Sequence, residues 1–451
     1  MLDLVIKAGL LVTPEGTRRA DLGIEGERIA QIAPDLAGRE EIDAAGMVVL
    51  PGVIDAHTHM ELPVRGDTSS DDFYSGTRAA ACGGVTTISD FSVGAEETSI
   101  PDEVEARKEQ ANKAAVDYTL HGEVIGWKPG KEEQFAEATR LGVRTFKFYL
   151  TYSRSGRMSD DGTLYQAFHA LSRCDGTAMV HAENDAIINA LVDDCESRGD
   201  LGMESLARTR PALCEQEAVT RAAVLARYFG VRLRIAHVSS AIGLEAVRVA
   251  RGSGCRIAAE TCPQYLLLDR KVYEGKDGHM YAITPPLRGE DDRSALWGGL
   301  SGGEIDLVTT DHCPFTRKQK SWKGSFLDLP YGMAGVETLL PLVYSEAVSK
   351  GRVTLSHLAR LLSSGPAKVL GIYPRKGALR IDSDADVVVV DPGKEVTLKA
   401  DRLHMKTDFC PYEGMKVDGY PVMTVSRGRV VFSGGEFCGE RGWGRFVPQS
   451  A

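Results

Sequence analysis

The strongest chemical signal in the sequence is His57-Thr58-His59, which follows the apolar run Val48–Ile54 after Asp55 and Ala56. In a β-strand, residues two positions apart point to the same face, so both imidazoles can reach one metal ion. Taken alone, such a pair is more often simply two polar residues that end a strand. It favours a metal site if its strand belongs to a parallel barrel, because catalytic groups gather where barrel strands end.

Three further residues of metal-ligand type close later apolar segments. His181 follows Met179-Val180, His237 follows Ile235-Ala236, and Asp311 follows Thr309-Thr310. A single histidine in such a place is more often a hydrogen-bonded core residue. Four of the ten histidines and one aspartate at strand ends instead predict a shared metal centre.

Lys147 is the unexpected member of this set, since it lies in the apolar segment Thr145–Leu150. A buried ammonium is costly, and it cannot ligate a metal because it has no free lone pair. From residue type alone, Lys147 is a cation that pairs with a substrate carboxylate or with an acid of the active site.

The segments that carry these residues alternate with stretches of helical character. Eight apolar, β-branched segments are predicted as strands: Val48–Ile54, Val85–Asp90, Val116–Val124, Val143–Leu150, Thr177–His181, Leu233–His237, Arg256–Glu260 and Ile305–Thr310. Alternating strands and helices indicate parallel βαβ units, and eight units indicate a closed (β/α)₈ TIM-like barrel of the α/β class. A doubly wound open sheet is the alternative, but no GxGxxG motif follows an early strand.

Both ends of the chain lack this alternation of strands and helices. They consist of short apolar runs separated by Gly- and Pro-containing breaks, which is typical of β-strands and turns. We therefore expect one small β-sandwich-like domain built from both termini, with two separate β extensions as the alternative. The predicted division is 1–50 and 372–451 for this domain and 51–371 for the barrel.

Composition excludes several other classes of protein. A net charge of −10 argues against a nucleic-acid partner, and no apolar run reaches the roughly 20 residues that a membrane span needs. Nine cysteines without a CxxC pair indicate reduced thiols, so the cytoplasm is the expected location.

The ordered set of HxH, lysine, two histidines and aspartate resembles the hydantoinase/dihydropyrimidinase family of the binuclear metal-dependent amidohydrolase superfamily. The likeness extends over nearly the whole chain. Its motifs are Pro51–Asp55, Gly76–Gly84, Phe146-Lys147, Leu150–Tyr152, Val180–Asn184, Glu260–Leu266, Pro285–Arg288 and Thr310–Cys313.

This resemblance implies an enzyme that opens small cyclic amides with two divalent metal ions per chain, zinc or manganese. It implies that Lys147 is carboxylated and bridges the two ions. The first ion takes His57, His59, Lys147 and Asp311, and the second takes Lys147, His181 and His237. The resemblance also implies a homotetramer.

The resemblance further implies roles in catalysis and in substrate binding. Asp311 moves a proton to the leaving nitrogen, Tyr152 stabilises the oxyanion, and Thr284 binds the ring amide. Tyr331 is a further expected substrate contact through its backbone, although the family usually has asparagine at this position. Leu62, with Pro63 and Val64, predicts a pocket for an apolar ring substituent.

Two other functions remain open at this stage. Dihydroorotases and allantoinases usually carry an arginine soon after HxH, a spacing that is absent here, although Arg154 and Arg157 could receive an acidic substituent. Dihydropyrimidinase-like scaffold proteins have lost metal ligands, whereas all six ligand positions are occupied here.

Overall fold

The computed structural model describes residues 1–450 and begins with five strands. These are β1 (Leu2–Thr13), β2 (Gly16–Glu25), β3 (Arg28–Ala33), β4 (Gly38–Asp43) and β5 (Val48–Pro51). The pairing of β1 with β2 is irregular between Ile6 and Gly9, where Ala8 has a φ of 56°.

Eight parallel strands form the nearly closed barrel that the sequence predicted. Their ranges are β6 (Val53–Asp55), β9 (Val85–Phe91), β10 (Asp117–Glu123), β11 (Thr145–Tyr149), β12 (Thr177–His181), β13 (Arg232–Ile235), β14 (Ile257–Thr261) and β15 (Leu307–Val308). They are hydrogen-bonded in the order β15-β14-β13-β12-β11-β10-β9-β6. Strands β15 and β6 do not pair along their length, and one isolated bridge between Thr58 and His312 joins the chain beyond them. This bridge lies next to His57, His59 and Asp311 in the sequence. A two-stranded hairpin, β7 (Pro63–Val64) and β8 (Asp67–Thr68), follows β6.

Helices connect the strands and cover the barrel. They are α1 (Phe73–Cys82), α2 (Ile100–Ala111), α3 (Lys131–Arg140), α4 (Asp161–Arg173), α5 (Asp185–Arg198), α6 (Glu204–Thr209), α7 (Ala212–Phe229), α8 (Ala241–Gly252), α9 (Pro263–Leu267), α10 (Glu290–Ser301), α11 (Leu339–Val343), α12 (Leu355–Ala359) and α13 (Gly365–Val369). The local sequence sets their starts: Asp72 and Ser75 form a capping box at α1, and Asn184 caps α5. Within residues 1–450, no helix is long and apolar enough to span a membrane.

Strands from both termini join in one nine-stranded sheet. Strands β16 (Val387–Thr397), β17 (Lys416–Ser426), β18 (Arg429–Ser433) and β19 (Glu436–Phe437) come from the C-terminal part. The sheet order is β19-β18-β17-β16-β5-β1-β2-β3, and β4 pairs with β1. The N-terminal and C-terminal parts of the chain therefore join, as expected, through the pairing of β5 with β16. Their strands form a single branched sheet. The residue division into domains stays a prediction.

One strand prediction was wrong. Val48–Ile54 is two strands, because β5 pairs with β1 and β16 whereas β6 pairs with β9. Gly52 separates them at a point where a Cβ atom would lie 2.1 Å from Thr86 Oγ1. An uninterrupted apolar run does not reveal where the chain leaves one sheet for another.

The C-terminal tail closes the end of the barrel opposite the predicted site. Tyr118, near the start of β10, donates its N–H to Arg445 and accepts from Val447, at 3.0 and 2.7 Å. Gln449 Oε1 accepts the N–H groups of Arg144 and Thr145 at 2.7 and 3.0 Å. These contacts lie at the N-terminal ends of strands, so the C-terminal ends form the accessible mouth.

Candidate active site

Three of the predicted ligands form a compact cluster at the barrel mouth. One ligand atom each from His57, His59 and Asp311 lies within 4.8 Å of the others. Asp311 Oδ1 is 3.1 Å from His57 Nε2 and 3.0 Å from His59 Nε2. The two histidines follow β6 and the aspartate follows β15, so the gap between the first and last strands brings them together.

The orientation of His57 is fixed from behind by an ion pair inside the barrel. Its Nδ1 is 2.6 Å from Glu260 Oε1, and Arg234 Nε donates to Glu260 Oε2 at 2.7 Å. Because a carboxylate accepts, Nδ1 carries the hydrogen, and Nε2 faces Asp311 with a lone pair. Two acceptors 3.1 Å apart repel each other unless a cation lies between them. This donor set therefore fits a metal ion.

His181 and His237 lie side by side next to this cluster, with ring centroids 4.5 Å apart. His181 Nε2 is 2.7 Å from Glu183 Oε2, which leaves Nδ1 as its free nitrogen. Burial lowers the pKa of His57 and of His181, and it is the main cause that lowers the pKa of His237 to about 3. All three imidazoles are therefore neutral at neutral pH, with lone pairs available for a metal.

Lys147 does not pair with an acid. Its side chain is buried, and among residues 1–450 no carboxylate oxygen lies within 4.0 Å of Nζ, which instead lies 5.3 Å from the ring centre of Phe91 and 5.4 Å from that of Tyr149. Burial lowers the pKa of Lys147 to about 8. An amine of this kind is neutral more readily than an exposed lysine, and only a neutral amine can react with carbon dioxide.

Three residues of the site adopt left-handed backbone conformations that side chains other than glycine rarely take. The φ angles are 74° at Tyr152, 40° at His237 and 53° at Asp311. Each costs of the order of 1–3 kcal/mol, and such strain clusters at functional sites.

Tyr152 faces Thr284 across the cavity, and their hydroxyl oxygens are 2.6 Å apart. Burial raises the pKa of Tyr152 to about 12, so the phenol keeps its proton and can donate it in a hydrogen bond. Tyr331 lies above them with its hydroxyl donating to Phe326 O at 3.0 Å, and the Arg65 guanidinium lies 5.2 Å from its ring centre.

All the residues predicted from the sequence as ligands or substrate contacts line one cavity of about 550 Å³. Its floor holds the six ligand-type residues, and Tyr152, Thr284 and Tyr331 stand above them. Most of the remaining lining surface is apolar and comes from Leu62, Pro63, Val64, Ile188, Val192, Phe326 and Leu327, while Arg65, Arg154, Arg157, Asp185 and Arg210 are its charged members.

Comparison with known proteins agrees with this geometry. The Amidohydrolase family matches residues 48–431. D-phenylhydantoinase of Escherichia coli O1:K1 is 38% identical over 452 residues, covering 98% of this chain and 97% of the relative. The chain belongs to the hydantoinase/dihydropyrimidinase family of amidohydrolases.

Solved structures of this family superpose on nearly the whole chain. Dihydropyrimidinase from Brevibacillus agri matches with a TM-score of 0.97 and 34% identity, covering 100% of this chain and 99% of the other. L-hydantoinase (dihydropyrimidinase) from Arthrobacter aurescens matches with a TM-score of 0.92 and 32% identity, covering 100% of both chains.

Within this hydantoinase-family cavity, the two arginines that could receive an acidic substituent are already paired. Arg157 Nη2 is 2.7 Å from Glu123 Oε1, which is fully buried. Arg154 pairs with Asp193 and, at 3.5 Å, with Glu196, and both acids belong to α5. Both guanidinium groups therefore already have acidic partners within the chain.

Sequence reasoning missed several residues of this site. Ile188 and Val192 occupy one face of α5, and Phe326 and Leu327 lie in a short 3-10 helix, Phe326–Asp328, with no motif that marks them. Glu260 and Glu183 were noted only as parts of motifs. Their acidic character beside buried histidines was the available signal, since a ligating imidazole usually donates its second N–H to a carboxylate.

Proposed function

We propose that this protein hydrolyses the ring amide of 5-substituted hydantoins and of related dihydropyrimidines. The observation that carries the proposal is a cavity with six metal-ligand-type side chains at its floor and a mostly apolar remaining lining. The relative named D-phenylhydantoinase, whose name includes an aryl group, supports the same substrate class.

Two divalent ions, zinc or manganese, are the proposed cofactors. His57, His59 and Asp311 would hold the first, His181 and His237 the second, and carboxylated Lys147 would bridge them. Support comes from the opposed acceptors of His57 and Asp311 and from the unpaired amine of Lys147. When bound, such a pair of ions lowers the pKa of water and polarises the amide carbonyl.

The side chains around this centre have distinct tasks. Asp311 holds and transfers a proton between the attacking water and the leaving ring nitrogen. Tyr152 donates its phenolic hydrogen to the carbonyl oxygen as negative charge develops there. Thr284, whose hydroxyl meets that of Tyr152, places the ring amide beside it.

A substrate panel tests this function directly. We expect kcat/KM to be higher for 5-phenylhydantoin or a 5-alkylhydantoin than for dihydrouracil, allantoin or dihydroorotate. Leu62→Ala should reduce this difference in kcat/KM, because each methylene buried against the 5-substituent contributes on the order of 0.8 kcal/mol to its binding. Arg154→Ala is the matched control and should leave the difference unchanged.

The same panel decides between the competing functions. A preference for dihydroorotate that disappears on removal of Arg154 or Arg157 would identify a dihydroorotase, and a preference for allantoin would identify an allantoinase. Turnover of none of these rings, with fewer than about one ion per chain by elemental analysis after metal loading, would leave a non-catalytic scaffold protein. A value near two ions supports the proposal.

We also propose that the chain forms a homotetramer. Apolar side chains project from neighbouring helices on one side of the barrel: Tyr228 is 73% exposed, Val249 62%, Val224 55% and Tyr165 44%. Such patches commonly mark contacts between proteins. Sedimentation velocity should give a tetramer for the wild type and a smaller species for Tyr228→Glu; a monomeric wild type would overturn the proposal.

The cytoplasm is the proposed location of the enzyme. All nine cysteines are free thiols, and Cys438 is exposed. Free thiols of this kind persist in a reducing compartment.

A further inference from the structure

Lys320 is a second buried lysine that faces no acid within the described part of the chain. Its side chain is 1% exposed, and Nζ donates to three backbone carbonyl oxygens: Met280 at 3.0 Å, Ala282 at 2.9 Å and Gly332 at 2.6 Å. We call these three oxygens the carbonyl cradle. An ammonium has three donor hydrogens, so the cradle uses all of them.

The carbonyl cradle joins two separate segments of the cavity wall. Met280 and Ala282 precede Ile283 and Thr284, which line the cavity, and Gly332 lies in the wall beside Tyr331. The segments also share a direct hydrogen bond from Gly332 N to Ala282 O at 2.9 Å. Lys320 therefore fixes the spacing between the two segments that face the ring.

The position of the 280–284 segment also affects Tyr152, the residue proposed to contact the reacting carbonyl. Thr284 is two residues beyond Ala282, and its hydroxyl oxygen is 2.6 Å from that of Tyr152. A shift of the 280–284 segment would move Thr284 and loosen this contact. Displacements of about 1 Å are enough to affect enzyme rates or binding strongly.

A purely space-filling role does not account for a lysine here. Burial lowers the pKa of Lys320 to about 7, which reflects the cost of keeping an ammonium in this environment. An apolar side chain of similar length would avoid that cost but would leave the cradle oxygens without a donor. The gain from the ammonium is the connection between the two segments.

We propose that Lys320 is a positioning residue for ring recognition, which holds the Thr284 segment and the Tyr331-Gly332 turn at the separation that a cyclic amide requires. Lys320 is not part of the cavity lining, and its hydrogen bonds go to the carbonyl cradle rather than to any of the six ligand-type residues. This inference rests on the proposed function, since it assigns Lys320 to the binding of that substrate class.

Lys131 provides a matched control. It is also buried, and its Nζ donates to two backbone carbonyls, those of Ile125 and Gly126, outside the lining of the cavity. Lys320→Met and Lys131→Met thus make the same chemical change in two similar settings. A third variant, Lys320→Arg, keeps the charge but cannot direct three donors at the cradle.

The first measurement needs no substrate. Hydrogen exchange followed by mass spectrometry should show faster exchange in peptides that cover 280–284 and 330–333 in Lys320→Met, and a smaller change in Lys320→Arg. Lys131→Met should leave these peptides unchanged. Equal exchange in both methionine variants would overturn the inference.

The second measurement uses the metal-loaded enzyme and 5-phenylhydantoin. Lys320→Met should raise KM at least about tenfold, the effect of losing a few hydrogen-bond contributions, while kcat and metal content change less than about threefold. Lys320→Arg should raise KM less, and it carries the test if Lys320→Met fails to fold. An unchanged KM in an active Lys320 variant would overturn the inference, whereas an inactive wild type would overturn the proposed function instead.

Discussion

At the mouth of the barrel, His57, His59 and Asp311 bring three ligand atoms within 4.8 Å of one another, and at the opposite end Asp117, Asp384 and Asp386 do the same. The second cluster already contains its cation. Lys376 Nζ lies 2.5 Å from Asp117, 3.0 Å from Asp384 and 2.7 Å from Asp386. Arg427 adds a guanidinium 3.0 Å from Asp117.

The mouth cluster has the reverse arrangement. Its nearest lysine, Lys147, makes no ion pair in the described residues, and two of its ligand atoms are acceptors facing each other at 3.1 Å. Proximity of ligand atoms is therefore not what separates a metal site from a structural cluster. The difference lies in whether the chain itself supplies the positive charge.

Among the variants considered, replacement of Lys147 should have the largest effect on the mouth cluster. Lys147→Ala removes the proposed bridging anion, so turnover should fall at least about 10⁴-fold, as for loss of a member of a catalytic unit, and metal content should fall with it. Lys147→Arg should be equally inactive, since a guanidinium cannot be carboxylated. Elemental analysis and hydantoin hydrolysis provide the measurements.

Two controls accompany that experiment. Short carboxylic acids such as propionate should partly restore turnover in Lys147→Ala by supplying a carboxylate in the vacated space. Lys131→Ala, a change at another buried lysine, should keep its metal. Full activity in Lys147→Ala would show that the bridge is wrongly assigned.

Asp311→Asn keeps the shape of the side chain but removes a basic carboxylate from the mouth cluster. Turnover should fall at least about 10²-fold, the lower range for loss of general acid–base catalysis. The free energy of unfolding of the metal-free protein should change by at most about 1 kcal/mol, the value of an ordinary hydrogen bond. Near-normal turnover with metal retained would remove Asp311 from the mechanism.

Glu260→Gln tests whether the mouth cluster depends on the charge behind His57. The amide oxygen can still accept from Nδ1, but the buried Arg234 loses its carboxylate partner. Metal affinity should fall about 10–100-fold, measured by competition with a chelator. Glu337→Gln is the control, because it alters a similar pair, His404 Nδ1 to Glu337 at 2.7 Å, away from the cavity. Equal affinities in both variants would contradict the proposed orienting role.

The sequence predicted the barrel and the residues at its mouth because both follow from short-range patterns. Apolar segments alternate with helical ones, and the C-terminal ends of barrel strands converge whatever the loops do. His57 and Asp311 are 254 positions apart in the numbering, yet each could be placed from its own strand alone.

The remaining features depend on contacts that no local pattern records. Lys320 meets Met280 across 40 residues, and His312 meets Asp71 across 241. Whether a buried lysine pairs with acids, as Lys376 does, or with carbonyls, as Lys320 does, is decided by segments far away in the chain. The passage from β5 to β6 at Gly52 was missed for the same reason.

The smallest loss of turnover is expected for Asp384→Asn, the same chemical change made in the opposite cluster. Asp384 contacts Lys376 and Arg375 at 3.0 Å and Arg28 at 2.7 Å, so the variant should lower the free energy of unfolding by about 1.5–3 kcal/mol, the usual contribution of hydrogen bonds to charged groups. Turnover should stay within about twofold of wild type, because the cluster lies at the far end of the barrel.

The stability difference between the two proteins should depend on pH. Burial alone would raise the pKa of Asp384, but Lys376 and the arginines lower it. The contribution of Asp384 to the free energy of unfolding is therefore complete above the unfolded pKa of about 4, and it is lost as the pH falls through the lower folded pKa. Denaturation of both proteins in urea should therefore show a difference in stability that is full at neutral pH and shrinks below about pH 4. A variant with normal stability but impaired hydrolysis would mean that the two clusters share a function, and the distinction drawn between them would fail.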